Sequence, residues 1–264
     1  MSARDDREVP GAISDFVSSL TTSLEFFTDC RVELEITRLE SINDFSIAPP
    51  RNEEEKGRPT SQLVALTAYD AIAEHPVALL GLDLNFRGFI SDRHGDLTIS
   101  QSTIAVWPLA KWRGTQLFRY DYLRKPGREI PAAHLQVAAH RDQFTHLLGF
   151  PGRGTHRSRG RAKRDLSAKV PSVAEYHFPL GGPRFRPCLE DILESLRAEF
   201  GLEVDTNKWK TTPRKARDEW HRIQLTAAIL DDPRVAAEIL SRYTNSEIVL
   251  DEEKLPQPRS PHSW

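Results

Sequence analysis

Hydrophobic and polar residues alternate through much of the first half of the chain, which is the pattern of β-strands with one face in water. The alternation is clear in Arg31–Leu39 and resumes from Gln62 as a meander, with apolar runs at 77–89 and 97–107. Turn-like segments separate these runs, and strands joined by turns pair antiparallel. The sequence therefore predicts a mostly antiparallel sheet of six or seven strands.

Helical spacing replaces this alternation at the N-terminus and through the last third of the chain. Apolar residues recur every three or four positions over Ile13–Phe27, Leu189–Phe200, Pro213–Leu230 and Val235–Tyr243. The second of these is the most regular, and Gly201 follows it as a C-terminal cap. The spacing predicts an N-terminal helix, one helix packed on the sheet, and a C-terminal helical hairpin.

The order of these elements indicates the fold class. Runs of strands followed by runs of helices favour the α+β class over alternating βαβ units. We expect an α+β domain over residues 1–205, with mobile loops at 47–60 and 151–169. Residues 206–264 are expected to form the helical hairpin, which either covers the sheet or docks a partner, and a disordered tail.

The densest group of polar side chains lies in the stretch from Gly114 to His140, which reads as two strands joined by a Pro-Gly turn. Antiparallel pairing of the two strands would bring four polar residues to one surface, although alternation alone leaves the register open. These residues are Arg119, Asp121, His134 and Gln136.

A third apolar run, Val173–Phe178, adds His177 to the polar residues of the two strands. Imidazoles titrate near neutral pH, so two of them can transfer protons in catalysis. In this hypothesis His134 and His177 act as acid and base beside Asp121, and Arg119 stabilises developing charge. The alternative is that all four are cross-strand polar pairs on a solvated sheet face.

Composition narrows the classes of protein to consider. The net charge is −2 with 28% charged and 39% hydrophobic residues, so any attraction to nucleic acid must be local. Two distant cysteines without a CxxC motif argue against a disulfide scaffold and a structural zinc site. No apolar run is long enough to span a bilayer, and the first residues are too polar for a secretory signal. We expect a cytoplasmic protein without a membrane partner.

One strongly basic segment stands out, at residues 151–169, where seven basic residues face a single acid for a net charge of +6. Arginine forks match phosphate oxygens, so the segment is a candidate arm for RNA or DNA, and the alternative is a solvated insertion without a role. The candidate nucleic-acid-binding residues are Arg153, Arg157, Arg159, Arg161, Lys163 and Arg164.

Motifs for cofactors and nucleophiles are weak throughout the chain. There is no HExxH, GKS or GxSxG motif, so we expect no cofactor, and a metal site built from His134, His177 and a carboxylate is left open. Cys188 begins a predicted helix, and the helix dipole together with Arg184 and Arg186 would lower the pKa of its thiol. The alternative for Cys188 is a packing role.

The order of features between Gly114 and Phe200 resembles small prokaryotic toxin proteins of the TumE-like kind. A FRYDY strand is followed by the AAHLQV strand, an HFP segment and a helix of LEDILESL type, which together cover about a third of the chain. The resemblance implies an antitoxin partner and an action on RNA. The family shows adjacent histidines where this chain has Ala132-Ala133 before a single histidine. The matching positions are Tyr120, Asp121, Tyr122, His134, His177, Phe178 and Pro179.

Two functions follow from these observations. The first is a nucleic-acid-associated protein with toxin-like or nuclease-like activity on RNA. The second is a non-catalytic module that binds a protein partner through its sheet face or its helical hairpin. Convergence of His134, His177 and Arg119 around an open groove would favour catalysis, whereas a flat arrangement would favour binding.

Overall fold

A computed structural model describes residues 9–28, 30–39, 44–52, 60–70, 74–91, 97–109, 116–124, 132–137, 186–209, 211–231, 233–244 and 246–251, with 253 and 255. Four predicted features lie outside these residues: the Pro-Gly turn between the two polar strands, the basic segment 151–169, the strand at 173–178 and the tail that follows residue 255. Within the described part of the chain, no helix combines the length and the apolar character needed to cross a bilayer.

The centre of the fold is a seven-stranded antiparallel sheet, which confirms the predicted α+β class. Its strand order is β1-β2-β6-β7-β8-β9, and β5 pairs with β6 as well. A two-stranded ladder, β3 with β4, lies apart from it. The strands are β1 Glu35–Arg38, β2 Asp44–Ala48, β3 Arg51–Asn52, β4 Thr60–Ser61, β5 Val64–Asp70, β6 His75–Ile90, β7 Leu97–Pro108, β8 Phe118–Leu123 and β9 Ala133–Val137.

Strand β6 organises the sheet because it is sixteen residues long and pairs with three others. Its first half pairs with β5, residues 86–89 pair with β2, and residues 80–90 pair with β7. A register shift follows Arg87, and there Gly88 approaches β7 closely. A Cβ on Gly88 would lie 2.5 Å from the carbonyl oxygen of Thr98, so only glycine fits this position without a backbone shift.

The apolar face of the sheet is covered by two helices, α1 (Gly11–Glu25) and α2 (Leu189–Phe200). Phe16 of α1 meets Phe86 of β6 edge to face, with ring centroids 5.4 Å apart. Helix α2 has Glu190 and Asp191 in its first turn and ends at the predicted cap Gly201, whose φ of 71° is left-handed. The core lies between the sheet and these helices. Its large buried side chains include Leu24, Phe27, Phe45, Leu66, Leu80, Leu82, Phe118, Leu193 and Phe200.

Three helices follow α2: the single turn α3 (Thr206–Trp209), then α4 (Thr212–Asp231) and α5 (Pro233–Thr244). Trp209 is buried against Phe27, with ring centroids 4.6 Å apart, and its indole N–H donates to Glu194. These contacts fasten the start of the C-terminal helices to the body of the protein. Helices α4 and α5, called here the C-terminal hairpin, are the predicted helical pair.

The structure differs from the sequence predictions around residue 47. The expected loop 47–60 is shorter, because Ile47 and Ala48 end strand β2 and Arg51–Asn52 pairs with Thr60–Ser61. Strand β2 itself was not predicted, since its five residues alternate too briefly to stand out. Residues 53–59 lie outside the described part of the chain.

Candidate functional site

The predicted polar face is present on strands β8 and β9, opposite to the core. Phe118 and Tyr120 point into the core, so Arg119 and Asp121 face the other way. The register pairs Arg119 with Gln136 and Asp121 with His134. All four predicted residues therefore lie side by side on one surface.

Asp121 is the centre of a hydrogen-bonded network on this surface. Its Oδ2 accepts a bond from Arg119 Nε at 2.7 Å, and its Oδ1 accepts one from Thr103 Oγ1 at 2.9 Å. His134 Nε2 lies 3.5 Å from the same Oδ2. Arg119 Nη2 also donates to Gln136 Oε1 at 2.7 Å, and the Gln136 amide nitrogen lies 3.3 Å from His134 Nε2. The guanidinium, carboxylate, amide and imidazole are thus joined in one ring of contacts.

Burial in this network is uneven. The side chains of Asp121 and His134 are 11% and 15% exposed, whereas that of Arg119 is 33% exposed. The carboxylate is engaged by two hydrogen-bond donors and an imidazole, so it is well placed to orient His134 and Arg119. The arrangement can hold an imidazole in one orientation next to a partly exposed guanidinium.

The other predicted site residues divide between described and undescribed parts of the chain. Arg119, Asp121 and His134 are brought together, whereas His177 lies outside the described residues. The same applies to the candidate arm: Arg153, Arg157, Arg159, Arg161, Lys163 and Arg164. Within the described residues, no group of His, Cys, Asp and Glu side chains is arranged to hold a metal ion.

Cys188 does not have the environment expected of a nucleophile. Burial raises the pKa of its thiol, and the adjacent charges of Glu190 and Asp191 raise that pKa further. Its Sγ donates to Asp191 Oδ2 at 3.2 Å, and the residue is 4% exposed. The prediction that the helix dipole and the neighbouring arginines lower the pKa of the Cys188 thiol is therefore wrong, because desolvation and the acids of the first turn raise that pKa by more.

A second polar cluster, which was not predicted, joins the start of α2 to α4. Arg217 Nε lies 3.0 Å from Asp191 Oδ1, although its N–H is not aligned for a hydrogen bond. His221 Nε2 lies 3.9 Å from the other carboxylate oxygen. A further donor of Arg217 reaches the backbone carbonyl of Glu190 at 3.3 Å. The cluster fixes the first half of α4 to the body.

Arg186 strengthens the same junction by stacking between two aromatic rings. Its guanidinium carbon lies 3.7 Å from the ring centre of Tyr122 on β8 and 4.7 Å from that of Trp220 on α4. Burial lowers the pKa of Arg186, while Tyr122 acts in the opposite direction. This junction was not predictable from the sequence. The aromatic residue at 122 and the acids in the first turn of α2 are visible there, but neither indicates a contact with α4.

The far part of the C-terminal hairpin exposes its apolar residues. The large apolar side chains of α5 are between 48% (Ile239) and 85% (Tyr243) exposed. Among the described residues of this helix, Ala237 is the buried one. The exposed apolar side chains of α5, which we call the α5 stripe, are Val235, Ile239, Leu240 and Tyr243. Leu225 and Ile229 of α4 are exposed to a similar degree.

The exposed part of α4 begins where its anchoring contacts end. Arg217 and His221 contact α2, whereas Ile223, Leu225 and Ile229 are 42–50% exposed. The hairpin is thus anchored at its base, and its apolar residues beyond the base are exposed.

No family model, curated protein or solved structure matches this chain.

Proposed function

We propose that the protein is a protein-interaction module whose binding element is the C-terminal hairpin. The observation that carries the proposal is the α5 stripe. Amphipathic helices of globular proteins normally turn the apolar side toward a core. Contiguous apolar surface left in water is typical of a site that a partner covers.

The base of the hairpin supports this proposal because it is anchored rather than loosely attached. Asp191 with Arg217, the stacked Arg186 and the buried Trp209 all tie this region to the body. An element held in place before binding loses less conformational freedom when the partner arrives. The hairpin is therefore suited to present its apolar residues at a defined position.

The polar face of the sheet fits a binding protein at least as well as an enzyme. Arg119 donates hydrogen bonds to Asp121 and to Gln136, and Asp121 also accepts one from Thr103. Cross-strand polar pairs of this kind stabilise a sheet face without any catalytic role. Among the described residues, none gives the α5 stripe a comparable structural explanation.

A site-specific photo-cross-linker tests the proposal. The probe would replace Tyr243 in one variant and, as a matched control, Leu39 in another, since Leu39 is an apolar residue of the body that is 39% exposed. We expect a defined protein adduct from position 243 and not from position 39 after irradiation in cells. Equal or absent adducts at the two positions would contradict the proposal.

The second candidate function is binding and cleavage of RNA, as the TumE-like resemblance implies. The Arg119–Asp121–His134 network favours it, because a partly exposed guanidinium beside an oriented imidazole suits a phosphodiester. The basic segment 151–169 would hold the backbone.

Binding of labelled single-stranded RNA across a salt series tests this candidate. The wild type would be compared with a variant in which Arg153, Arg157, Arg159, Arg161 and Arg164 are replaced by Ser. A steep salt dependence that flattens in the variant supports a phosphate-binding arm. Cleavage lost in His134→Ala and His177→Ala would support catalysis, and failure of the wild type to bind at low salt would exclude this function.

A further inference from the structure

We infer that the partner of the α5 stripe is a second copy of this chain, so that the protein forms a two-fold dimer through α5. The inference rests on the proposed function and names its partner. Three observations carry it: the charge balance of α5, the positions of its apolar residues, and the apolar surface next to it.

The charges of α5 do not require an oppositely charged partner. Arg242 donates to Glu238 one turn earlier, so these two charges are matched within the helix. The third charged residue of α5, Arg234, lies on the side of the helix away from the α5 stripe. A near-neutral apolar surface is complementary to itself, which is the condition for a two-fold interface. Two copies can therefore approach without like charges meeting.

The same charges argue against other occupants. Helices that lie on membranes carry a polar face rich in Lys and Arg. Residues 233–254, which hold α5 and the segment after it, carry five acidic and three basic residues, and this net charge of −2 does not attract anionic lipid or nucleic acid. A neutral apolar protein surface remains as the complementary partner.

The spacing along α5 suits antiparallel pairing of two copies. Val235, Ile239 and Tyr243 are four residues apart, so they follow one side of the helix. A two-fold axis at Ile239 brings Val235 opposite the partner's Tyr243, and the reverse contact follows from symmetry. Glu238 then comes within reach of the partner's Arg242, so the pair within each helix can be exchanged for pairs between helices.

Helix α4, which contacts α5, and the segment after α5 carry further exposed apolar residues. A stable interface buries about 800 Å² on each partner, and homodimer interfaces are more apolar than the average protein surface. Leu225 and Ile229 lie one turn apart on α4, and Val249 follows α5 with 85% of its surface exposed. Together with the α5 stripe these residues offer seven large apolar side chains, all at least 42% exposed.

Sedimentation velocity of the purified full chain over a range of micromolar concentrations tests the inference. We expect the wild type to form a species of about twice the 30.0 kDa chain mass. Ile239→Glu should sediment as a monomer, because a charge would be buried at the axis. The matched control Leu39→Glu, in the body, should remain a dimer. A monomeric wild type, or a dimer that survives Ile239→Glu, would overturn the inference.

Disulfide trapping gives a second readout that does not depend on removing an apolar residue. In a Cys30→Ser background, Ile239→Cys should form a covalent dimer on mild oxidation, because the two thiols meet at the axis. Arg234→Cys, on the other side of α5, should not. Equal cross-linking at both positions would contradict the two-fold arrangement.

These tests separate this inference from the proposed function. If the purified chain is monomeric while a probe at Tyr243 captures a different protein, the hairpin binds a partner but not a second copy. If the chain is monomeric and the probe captures nothing, both fail.

Discussion

Helices α2 and α5 are both twelve residues long and both amphipathic, yet their apolar sides have opposite surroundings. Helix α2 buries Leu189, Ile192, Leu193, Leu196 and Phe200 against the sheet and α1. Helix α5 buries Ala237 alone among its described residues and leaves its larger apolar side chains in water. The same periodicity therefore serves the core in one helix and a surface in the other.

The difference shows what each helix contributes to the free energy of unfolding. Burial of a leucine side chain stabilises a fold by about 1.5–3 kcal/mol relative to leaving it exposed. Helix α2 buries several large apolar side chains and so stabilises the folded chain several times by this amount. Helix α5 contributes little stabilisation of this kind within one chain, because its large apolar side chains are exposed. Association is the step at which the α5 stripe can contribute, so α2 belongs to folding and α5 to binding.

The largest expected effect comes from shortening matched leucines in the two helices. Leu193→Ala removes a fully buried side chain of α2 and should lower the free energy of unfolding by about 2–5 kcal/mol. Leu240→Ala, at a residue 51% exposed on α5, should change it by less than about 0.5 kcal/mol at concentrations where the chain is monomeric. Urea unfolding measures both. A large loss for Leu240→Ala would mean that α5 packs on the body.

A second comparison concerns hydrogen bonds in the body and in the hairpin. Ser23 of α1 donates to Glu190 of α2 at 2.6 Å, and both residues are buried. Ser23→Ala leaves a buried carboxylate oxygen without this donor and should cost about 1–3 kcal/mol. Ser246→Ala removes an exposed bond after α5 and serves as the control. Similar thermal unfolding of the two variants would contradict this account of the α1–α2 contact.

The thiol of Cys188 predicts a pH dependence of the stability of the body. Because its pKa is raised in the folded state, the folded chain keeps this proton above pH 8.5 while the unfolded chain loses it. The free energy of unfolding should then fall by about 1.4 kcal/mol per pH unit above about pH 8.5, and be unaffected by this group below that pH.

Cys188→Ala should remove this part of the alkaline decline, whereas Cys30→Ala, at an exposed position, should keep it. Chemical denaturation between pH 7 and 10 measures the slopes. A thiol reagent gives an independent check, since Cys30 should react in the native protein and Cys188 only after unfolding. Rapid native labelling of Cys188 would show that its site is open.

The smallest effect is expected at the junction of body and hairpin. Arg186→Lys keeps a cation but loses the planar stack between Tyr122 and Trp220, which should cost about 0.5–2 kcal/mol. The loss should appear as faster hydrogen exchange in α4 rather than in the sheet. As a control, Arg222→Lys alters an exposed pair with Glu219 and should have no measurable effect.

The sequence allowed local features to be predicted better than contacts between distant residues. Alternation correctly placed Arg119 with Asp121 on one face of β8 and His134 with Gln136 on one face of β9, because strand geometry alone decides which side chains of a strand share a face. The register that brings the two pairs together comes from the structure. The end of α2 at Gly201 was predictable for the same local reason. These inferences needed no knowledge of the rest of the fold.

The predictions that failed or stayed open depend on tertiary structure. The pKa of Cys188 was expected to fall because a dipole can be read from the sequence, whereas burial cannot. The contact of Asp191 with Arg217 joins two helices and leaves no periodic signal. For α5, periodicity predicted an apolar stripe but not whether the sheet or a partner covers it. The roles of His177 and of the basic segment 151–169 remain predictions.

Hydrogen–deuterium exchange measured at several protein concentrations tests the contrast between α2 and α5 most directly. We predict that amides of α2 are protected equally at every concentration, because their protection comes from folding. Amides of α5 should exchange quickly in dilute solution, become protected as the concentration rises, and lose that response in Ile239→Glu. Protection of α5 that equals that of α2 at the lowest concentration, or that never changes with concentration, would contradict the account.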